Sequence, residues 1–427
     1  MAQRMSEAVR TPISTIANPP STRANIHSMN RLSQRQHRLT TLGPLYRVLC
    51  LVGLVLASQD AMGDPGQAGS PQQNPQRSGV AYRNDKIPDK PLSIHIVKAE
   101  RNRPDLVLAT TLAKGTVLDL STLSEQIRGI TKTNQRPQVG INGDFYRTEQ
   151  EAYAGDPLGF QVMDGELVSS AVTNKPCFWT DALSIPHISV VQSLFKATLP
   201  DGRQIPFEIN EERLRGTARL YTPRIGSSTQ TGNGRELILE RDGSKEWLPI
   251  KPGETYSARV REIRETGSSR VPPETVVLSF DPRLPSGLPT LKVGDLIQLS
   301  TATLPETRGC QLAIGGGPTL IRNGVVAAYK GSNDRHPRSA FGWNDTHWFF
   351  VEVDGRQSQL SVGMSLPEFA EYLRSQGIDE AINLDGGGSA TLWFLGQVVN
   401  SPCYGRERNT ANGLILLKKD TLRREPD

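Results

Sequence analysis

The run Ala381-Ile-Asn-Leu-Asp-Gly-Gly-Gly-Ser-Ala-Thr-Leu-Trp393 leaves this chain few local folds. Ile382 to Leu384 reads as the end of a short buried strand, and three consecutive glycines stop it. Glycine lacks a side chain and tolerates positive φ, so Gly386, Gly387 and Gly388 let the backbone approach a ligand closely. Successive N–H groups in such a turn form a nest that holds an anion. Asp385 sets a carboxylate at its lip. The competing reading is a tight turn whose Asp only accepts backbone hydrogen bonds.

The preceding segment favours a site. His347 to Val353 reads as an apolar strand ended by the turn Asp354-Gly355-Arg356. Ser365-Leu-Pro-Glu368 is a capping box with proline in the first turn. Leu366, Phe369, Ala370 and Leu373 then recur at helical spacing, and Gly377 supplies the stop. Strand, helix and strand in succession predict a right-handed βαβ crossover. Asp354 and Asp385 would then lie past the C-terminal ends of neighbouring parallel strands, the edge where α/β sheets bind ligands. Strands ~4.8 Å apart put the two carboxylates at roughly 5–10 Å, the range of glycoside-cleaving pairs.

The whole chain has 427 residues, 22% charged and 36% hydrophobic, enough for a soluble protein with a sizeable core. Its basic balance is local. Residues 1–57 hold seven Arg and one acid, leaving 42 basic and 43 acidic residues after them. A basic nucleic-acid footprint is therefore absent from the remainder, and no nucleic-acid partner is expected. The ten-residue apolar run Val48–Ala57 behind Arg35, Arg38 and Arg47 has the form of a signal-peptide core and is short for a membrane span. Residues 1–57 are thus expected to be an export leader, leaving a periplasmic or extracellular protein with no stable span after cleavage.

Residues 58–90, rich in Gln, Gly, Pro, Asn and Ser, read as a disordered linker, with an ordered domain at 91–420. Within it, Leu92–Val97, Leu106–Thr111 and Gln138–Asn142 read as strands, Leu123–Ile130 as a short helix, and 160–168 as a hairpin turning at Asp164-Gly165. From 188 to 303 short alternating runs between Gly, Pro and Asp suggest a β-rich subdomain inserted into the core. The expected fold class is therefore mixed α/β (α+β): a βαβ-containing core sheet with an inserted β-rich subdomain.

Cys177, Cys310 and Cys403 lack zinc-site spacing, and few His or acidic residues cluster in sequence, so neither a metal nor a cofactor is expected. No phosphate-binding P-loop or G-x-S-x-G elbow is present. Arg335 and Arg338 offer forks suited to phosphate or carboxylate oxygens, or are a solvated pair. Asn142 presents an amide to a sugar hydroxyl or makes an Asx-turn. Gly316 and Gly317, within Gly315–Gly317, form a second nest or simply turn the chain.

In order, the chain shows Gly140-Ile-Asn-Gly-Asp-Phe-Tyr146, Ile314-Gly-Gly-Gly-Pro318 and Arg335-His-Pro-Arg-Ser-Ala-Phe-Gly342. Val353-Asp-Gly-Arg356, Asn383-Leu-Asp-Gly-Gly-Gly-Ser389 and Glu407-Arg408 with Asn412 follow. This series resembles the phosphodiester glycosidase family across residues 92–418. The resemblance implies cleavage of a sugar-1-phosphodiester, N-acetylglucosamine-1-phosphodiester-like, to sugar and phosphomonoester, in exopolysaccharide or envelope glycan metabolism. It implies catalytic roles for Asp385, Asp354 and Arg338. It assigns substrate contacts to Asn142, Gly316, Gly317, Arg335, Asn383, Gly386, Gly387, Gly388, Ser389 and Arg408. Asp144 stands where relatives often carry Gly, and His336 at a variable position, so neither is counted. Two other classes remain: a non-catalytic envelope polysaccharide-binding protein, and a phosphodiesterase cutting the P–O bond, a reaction that usually wants a metal.

Overall fold

The computed structural model describes residues 79–420 apart from Pro88, Thr133, 149–152, Lys245 and Ser286. The expected leader and residues 58–78 of the expected linker lie outside the described residues. The end of that expected linker is ordered: Val80–Ile87 is a strand paired antiparallel with Leu92–Glu100. No helix of the described residues is long and apolar enough to cross a membrane.

The protein is mostly β, with 42% strand, 8% helix and two α-helices among the described residues, which overturns the expected mixed α/β class. A seven-stranded sheet runs in the order Val80–Ile87, Leu92–Glu100, His347–Val353, Arg338–Trp343, Glu380–Asn383, Thr319–Arg322, Val325–Val326. A five-stranded sheet runs Gln397–Val398, Leu392–Phe394, Gln135–Asn142, Gly413–Lys419, Leu106–Thr110. Every pairing in both is antiparallel. The anticipated neighbours His347–Val353 and Glu380–Asn383 are separated by Arg338–Trp343, antiparallel to each.

The helix itself forms as its sequence dictates. Leu366–Ser375 begins at a complete Ser365–Glu368 capping box and ends before Gly377, whose φ of 76° L-residues rarely adopt. The misreading lay in what covers the strands. Strand His347–Val353 is apolar apart from His347 and Glu352 and buried on both faces, the pattern of a central parallel strand. Here one face packs on the five-stranded sheet through Trp348 and Phe350. The other packs on the helix through Phe349, Val351 and Val353 against Phe369 and Leu373. The second helix, Leu123–Ile130, covers the far side of the five-stranded sheet at Ile415 and Leu417.

A further five-stranded sheet, ordered Glu166–Ser169, Gln161–Met163, Leu312–Gly315, Pro176–Thr180, Pro186–Val190, closes on the inter-sheet core. Seven strands between Lys196 and Ser300 form a closed barrel whose apolar filling continues into Val162, Leu167, Trp179 and Ala313 of that sheet. The chain passes into and out of it through the antiparallel pair Gln192–Ser193 and Thr303–Leu304. Cys177, Cys310 and Cys403 are free thiols.

The inter-sheet core centres on Phe341, fully buried against Phe178, Trp348 and Phe350 with ring centroids 4.7–5.6 Å apart. Phe341→Ala leaves a cavity there and should lower unfolding stability by about 3–5 kcal/mol. Denaturant titration with an unchanged m-value checks this; a loss under 1 kcal/mol would show that the core closes over the gap.

Candidate active site

Several chain segments end at one place. Gln135–Asn142 runs into Gly143-Asp144, Leu312–Gly315 into Gly316-Gly317, and Glu380–Asn383 into Leu384-Asp385. Backbone bonds join them: Asp385 N–H donates to Gly143 O (2.9 Å) and Gly317 N–H to Asn383 O (2.7 Å). Asn142 is completely buried and is a brace. Its Nδ2 donates to Asp385 O (2.6 Å), while its Oδ1 accepts from Ser339 Oγ (2.7 Å) and Thr391 N–H (3.0 Å). Its amide is therefore not free for a sugar hydroxyl. Asn383 is likewise turned inward, its Nδ2 donating to Gly317 O and Leu384 O.

The Gly386–Gly388 turn is tight because other groups crowd it. Gly386 N–H donates to Asp385 Oδ1 (2.9 Å) and Gly387 N–H to Pro337 O (2.9 Å), so two of the three nest amides are consumed within the protein. Gly387 has φ 60°, and a Cβ there would lie 3.1 Å from the guanidinium of Arg356. A Cβ at Gly388 would lie 2.5 Å from Tyr404 and 3.5 Å from Arg408. Two exposed arginines, Arg356 and Arg408, thus rim the turn on successive residues. Arg408 also stacks over Tyr146, 5.6 Å from its ring centre. Beyond Tyr404 and Arg408 opens a polar cleft of about 570 Å³, lined also by Arg406 and Asn409.

Asp385 is partly buried at this rim, and burial pushes its pKa up to about 6. The nearby Ser389 hydroxyl, the Gly386 amide and Arg408 hold it down, and the Asp144 carboxylate pushes it up. Ser389 Oγ is fully buried and makes no hydrogen bond of ordinary geometry, so its influence is that of a close neighbour. Asp144 is thus the other carboxylate that bears on Asp385. It is 1% exposed and bonds Lys175 Nζ (2.7 Å) and the Phe145 amide (2.7 Å). Its pKa is pushed up by burial, against the pull of Lys175. A Cβ at Gly315 would sit 2.1 Å from Asp144 Oδ2, so the second glycine run makes room for this carboxylate.

The other expected residues go elsewhere. Asp354 is 1% exposed and faces the core, with Oδ2 2.9 Å from His95 Nε2 and Oδ1 accepting from Ser401 N–H (2.7 Å). Separation by a strand removes it from the place beside Asp385. The amides of Gly316 and Gly317 are taken by Pro176 O and Asn383 O, so no second nest is free there. Arg335 pairs with Glu368 on the helix cap. Arg338 gives Nε to Met364 O (2.9 Å) and Nη2 to Asp334 O (2.8 Å), with burial and the neighbouring Arg356 lowering its pKa. It backs Arg356 with positive charge. Sequence reasoning missed Asp144, Lys175 and Arg356. The first and last stand inside quoted motifs; Lys175, in a loop before Pro176, carries no local signal.

Asp385 sets a stability signature. Its folded pKa is above the unfolded value of about 3.9, so its contribution is fully present at low pH and lost as pH rises through about 6. Asp385→Asn removes that loss. The variant should melt above the wild type at pH 7–8, with the difference vanishing by pH ~4; paired melting curves across pH check it, and a constant difference would remove the raised pKa.

Residues 265–417 match the phosphodiester glycosidase family model, a span holding Arg338, Arg356, Asp385 and Arg408 but not Asp144 or Lys175. A hypothetical protein from Synechocystis has the same fold, with TM-score 0.64 and 19% identity over 80% of this chain and 62% of that one. This chain therefore spans less than two thirds of that protein. A Burkholderia pseudomallei protein also shares the fold, with TM-score 0.57 and 20% identity over 76% of this chain and 74% of its own. The zebrafish N-acetylglucosamine-1-phosphodiester alpha-N-acetylglucosaminidase catalytic domain aligns at TM-score 0.42 and 16% identity, over 82% of this chain and 84% of that domain. No curated protein matches the chain.

Proposed function

We propose that this chain, whose residues 265–417 match the phosphodiester glycosidase family model, is a hydrolase that cleaves the anomeric C–O bond of a sugar-1-phosphodiester. N-acetylglucosamine-1-phosphodiesters are the substrate class, and sugar and phosphomonoester the products. The observation that carries the reading is Asp385, a carboxyl with pKa about 6 on a glycine turn rimmed by two arginines. The leaving phosphate is already ionised at neutral pH, so it needs charge stabilisation more than a proton. Arg356 and Arg408 supply it as forked donors, with Arg338 adding positive potential behind Arg356. Asp385, ionised above pH 6, serves the electron-poor anomeric carbon as nucleophile or as base for the attacking water. Asp144, held by Lys175, keeps a second acidic group at the site and adds a small push to the Asp385 pKa, which burial chiefly raises. The leader expected from sequence favours a glycan substrate outside the cytoplasm, in exopolysaccharide or cell envelope.

Hydrolysis of an N-acetylglucosamine-1-phosphodiester in ¹⁸O water tests the bond. Label should enter the sugar; label in the phosphate would replace this reading with P–O cleavage. With Asp385 acting ionised, kcat/KM should rise with pH through an apparent pKa of about 6 and then level. Asp385→Asn should lose at least ~10³-fold, about 4 kcal/mol, while still folded. Full activity would leave the turn without a chemical role, and retained glycan binding by a wild type without turnover would favour a binding protein.

Arg356→Lys and Arg408→Lys keep charge but lose the planar fork, and each should lower kcat/KM roughly 10-fold or more. Steady-state kinetics on the same diester decides; near-wild-type values for both would place the phosphate elsewhere.

A further inference from the structure

We propose that His95, Glu352 and Asp354 form a structural binding site for a first-row divalent transition-metal ion. It goes beyond the glycosidase reading and stands without it. The strand register builds the cluster. His95 lies directly opposite Glu352 on antiparallel strands, and Asp354, two residues on, shares the face. All three point into the inter-sheet core beyond Val97 and Phe350. One donor atom from each lies within 4.8 Å of the others, and the residues are 5%, 0% and 1% exposed.

Glu352 is the independent sign of a ligand. Both its carboxylate oxygens are buried and make no hydrogen bond. The nearest polar group, the Asn400 amide, gives one Nδ2 hydrogen to Ala390 O and takes the Leu392 N–H on Oδ1; its second hydrogen lies toward Glu352 without a bond of ordinary geometry. A buried carboxylate without a partner is costly and rare, and here a second carboxylate, Asp354, lies beside it. A divalent ion neutralises both at once.

The geometry suits an ion. His95 Nε2 and Asp354 Oδ2 are 2.9 Å apart, within about 0.5 Å of the roughly 3.0–3.4 Å between adjacent donors bound at ~2.1 Å in octahedral or tetrahedral sites. Glu352 needs only rotation about its soft terminal torsion to complete the set. The outer groups are in place. Tyr82 OH lies 2.8 Å from His95 Nδ1, fixing the ring with Nε2 toward the cluster, and Ser401 N–H holds Asp354 Oδ1. Ser93 Oγ, 3.1 Å from Nε2, is a further oxygen at hand. One imidazole with two carboxylates suits Mn²⁺ through Zn²⁺, whereas Ca²⁺ and Mg²⁺ favour all-oxygen sets.

Complete burial leaves no face open to substrate, so the ion would brace. Asp354 grips Ser401, and Cys403 Sγ lies 3.7 Å from Gly387 O, so the cluster underlies the loop carrying Tyr404 and Arg408.

Full-length protein purified without chelator or metal-affinity resin should retain about one equivalent of transition metal by plasma mass spectrometry. After chelator stripping, Mn²⁺, Zn²⁺ or Co²⁺ should raise Tm by about 5 °C or more at saturating ion, and Co²⁺ should give a visible d–d band. Glu352→Gln should weaken binding at least 100-fold. No retained metal together with no Tm response to any of the three ions overturns the proposal, as does an equal response in Glu352→Gln. If that variant does not fold, absence of the Co²⁺ band in wild type overturns it.

Discussion

The buried carboxamide of Asn142 is the joint on which the site depends. It stands at the end of a five-stranded-sheet strand and grips Ser339 and Asp385 from the seven-stranded sheet. It also takes the amide of Thr391, which leads back into its own sheet. A side-chain amide can give and accept at once, so this one residue fixes the two sheets at the edge where the glycine turn begins. The position of Asp385 is thereby set by the packing of two rigid layers rather than by a loop. Glycine is needed beside it because Pro337, Arg356, Tyr404 and Arg408 press on the turn from outside.

Charge is arranged around that fixed point in an order that follows from burial. Deepest is the Asp144–Lys175 pair, with Asp144 fully buried and Lys175 at 17% side-chain exposure. Taking either partner away would strand a buried charge, so the pair holds itself together. Asp385 comes next, near enough to Asp144 to feel its charge and near enough to Arg408 to be partly relieved. Outermost are Arg356 and Arg408, exposed and able to meet an anion from solvent. A gradient of this kind fits a substrate whose sugar end goes inward and whose phosphate stays at the rim.

Much of the local structure could be read from the chain. The capping boxes at Thr122 and Ser365, the helix Leu123–Ile130 and the Asp164-Gly165 hairpin all depend on neighbours in sequence. Layer arrangement does not. An apolar strand covered on both faces looks the same whether a helix or a second sheet supplies the second cover, and this turned an antiparallel sheet into an expected parallel one. The error carried into the site, because strand adjacency was the geometric ground for setting Asp354 beside Asp385. Asp385 itself was legible, since the strand and the glycines flank it directly. Asp144 was visible and set aside. Lys175 and the pairing of His95 with Glu352 arise from long-range register, which one sequence does not display.

The fold also shows how a long excursion leaves the site intact. Asp144 and Lys175 precede the barrel; Asp385, Arg356 and Arg408 follow it. The barrel strands pair among themselves, and the chain crosses its boundary at the two-stranded stem Gln192–Ser193 and Thr303–Leu304. Just outside that stem, Pro176–Thr180 pairs with both Pro186–Val190 and Leu312–Gly315, which re-joins the two halves of the sequence. Gly315 then meets Asp144 where a side chain would collide with its carboxylate, as one at Gly159 would from the other half of the sequence. The closure entropy of so long a loop grows only with the logarithm of its length, and the barrel offsets its own share through its filled core. The pairing across the stem, not the sequence distance, decides whether the two halves of the site meet.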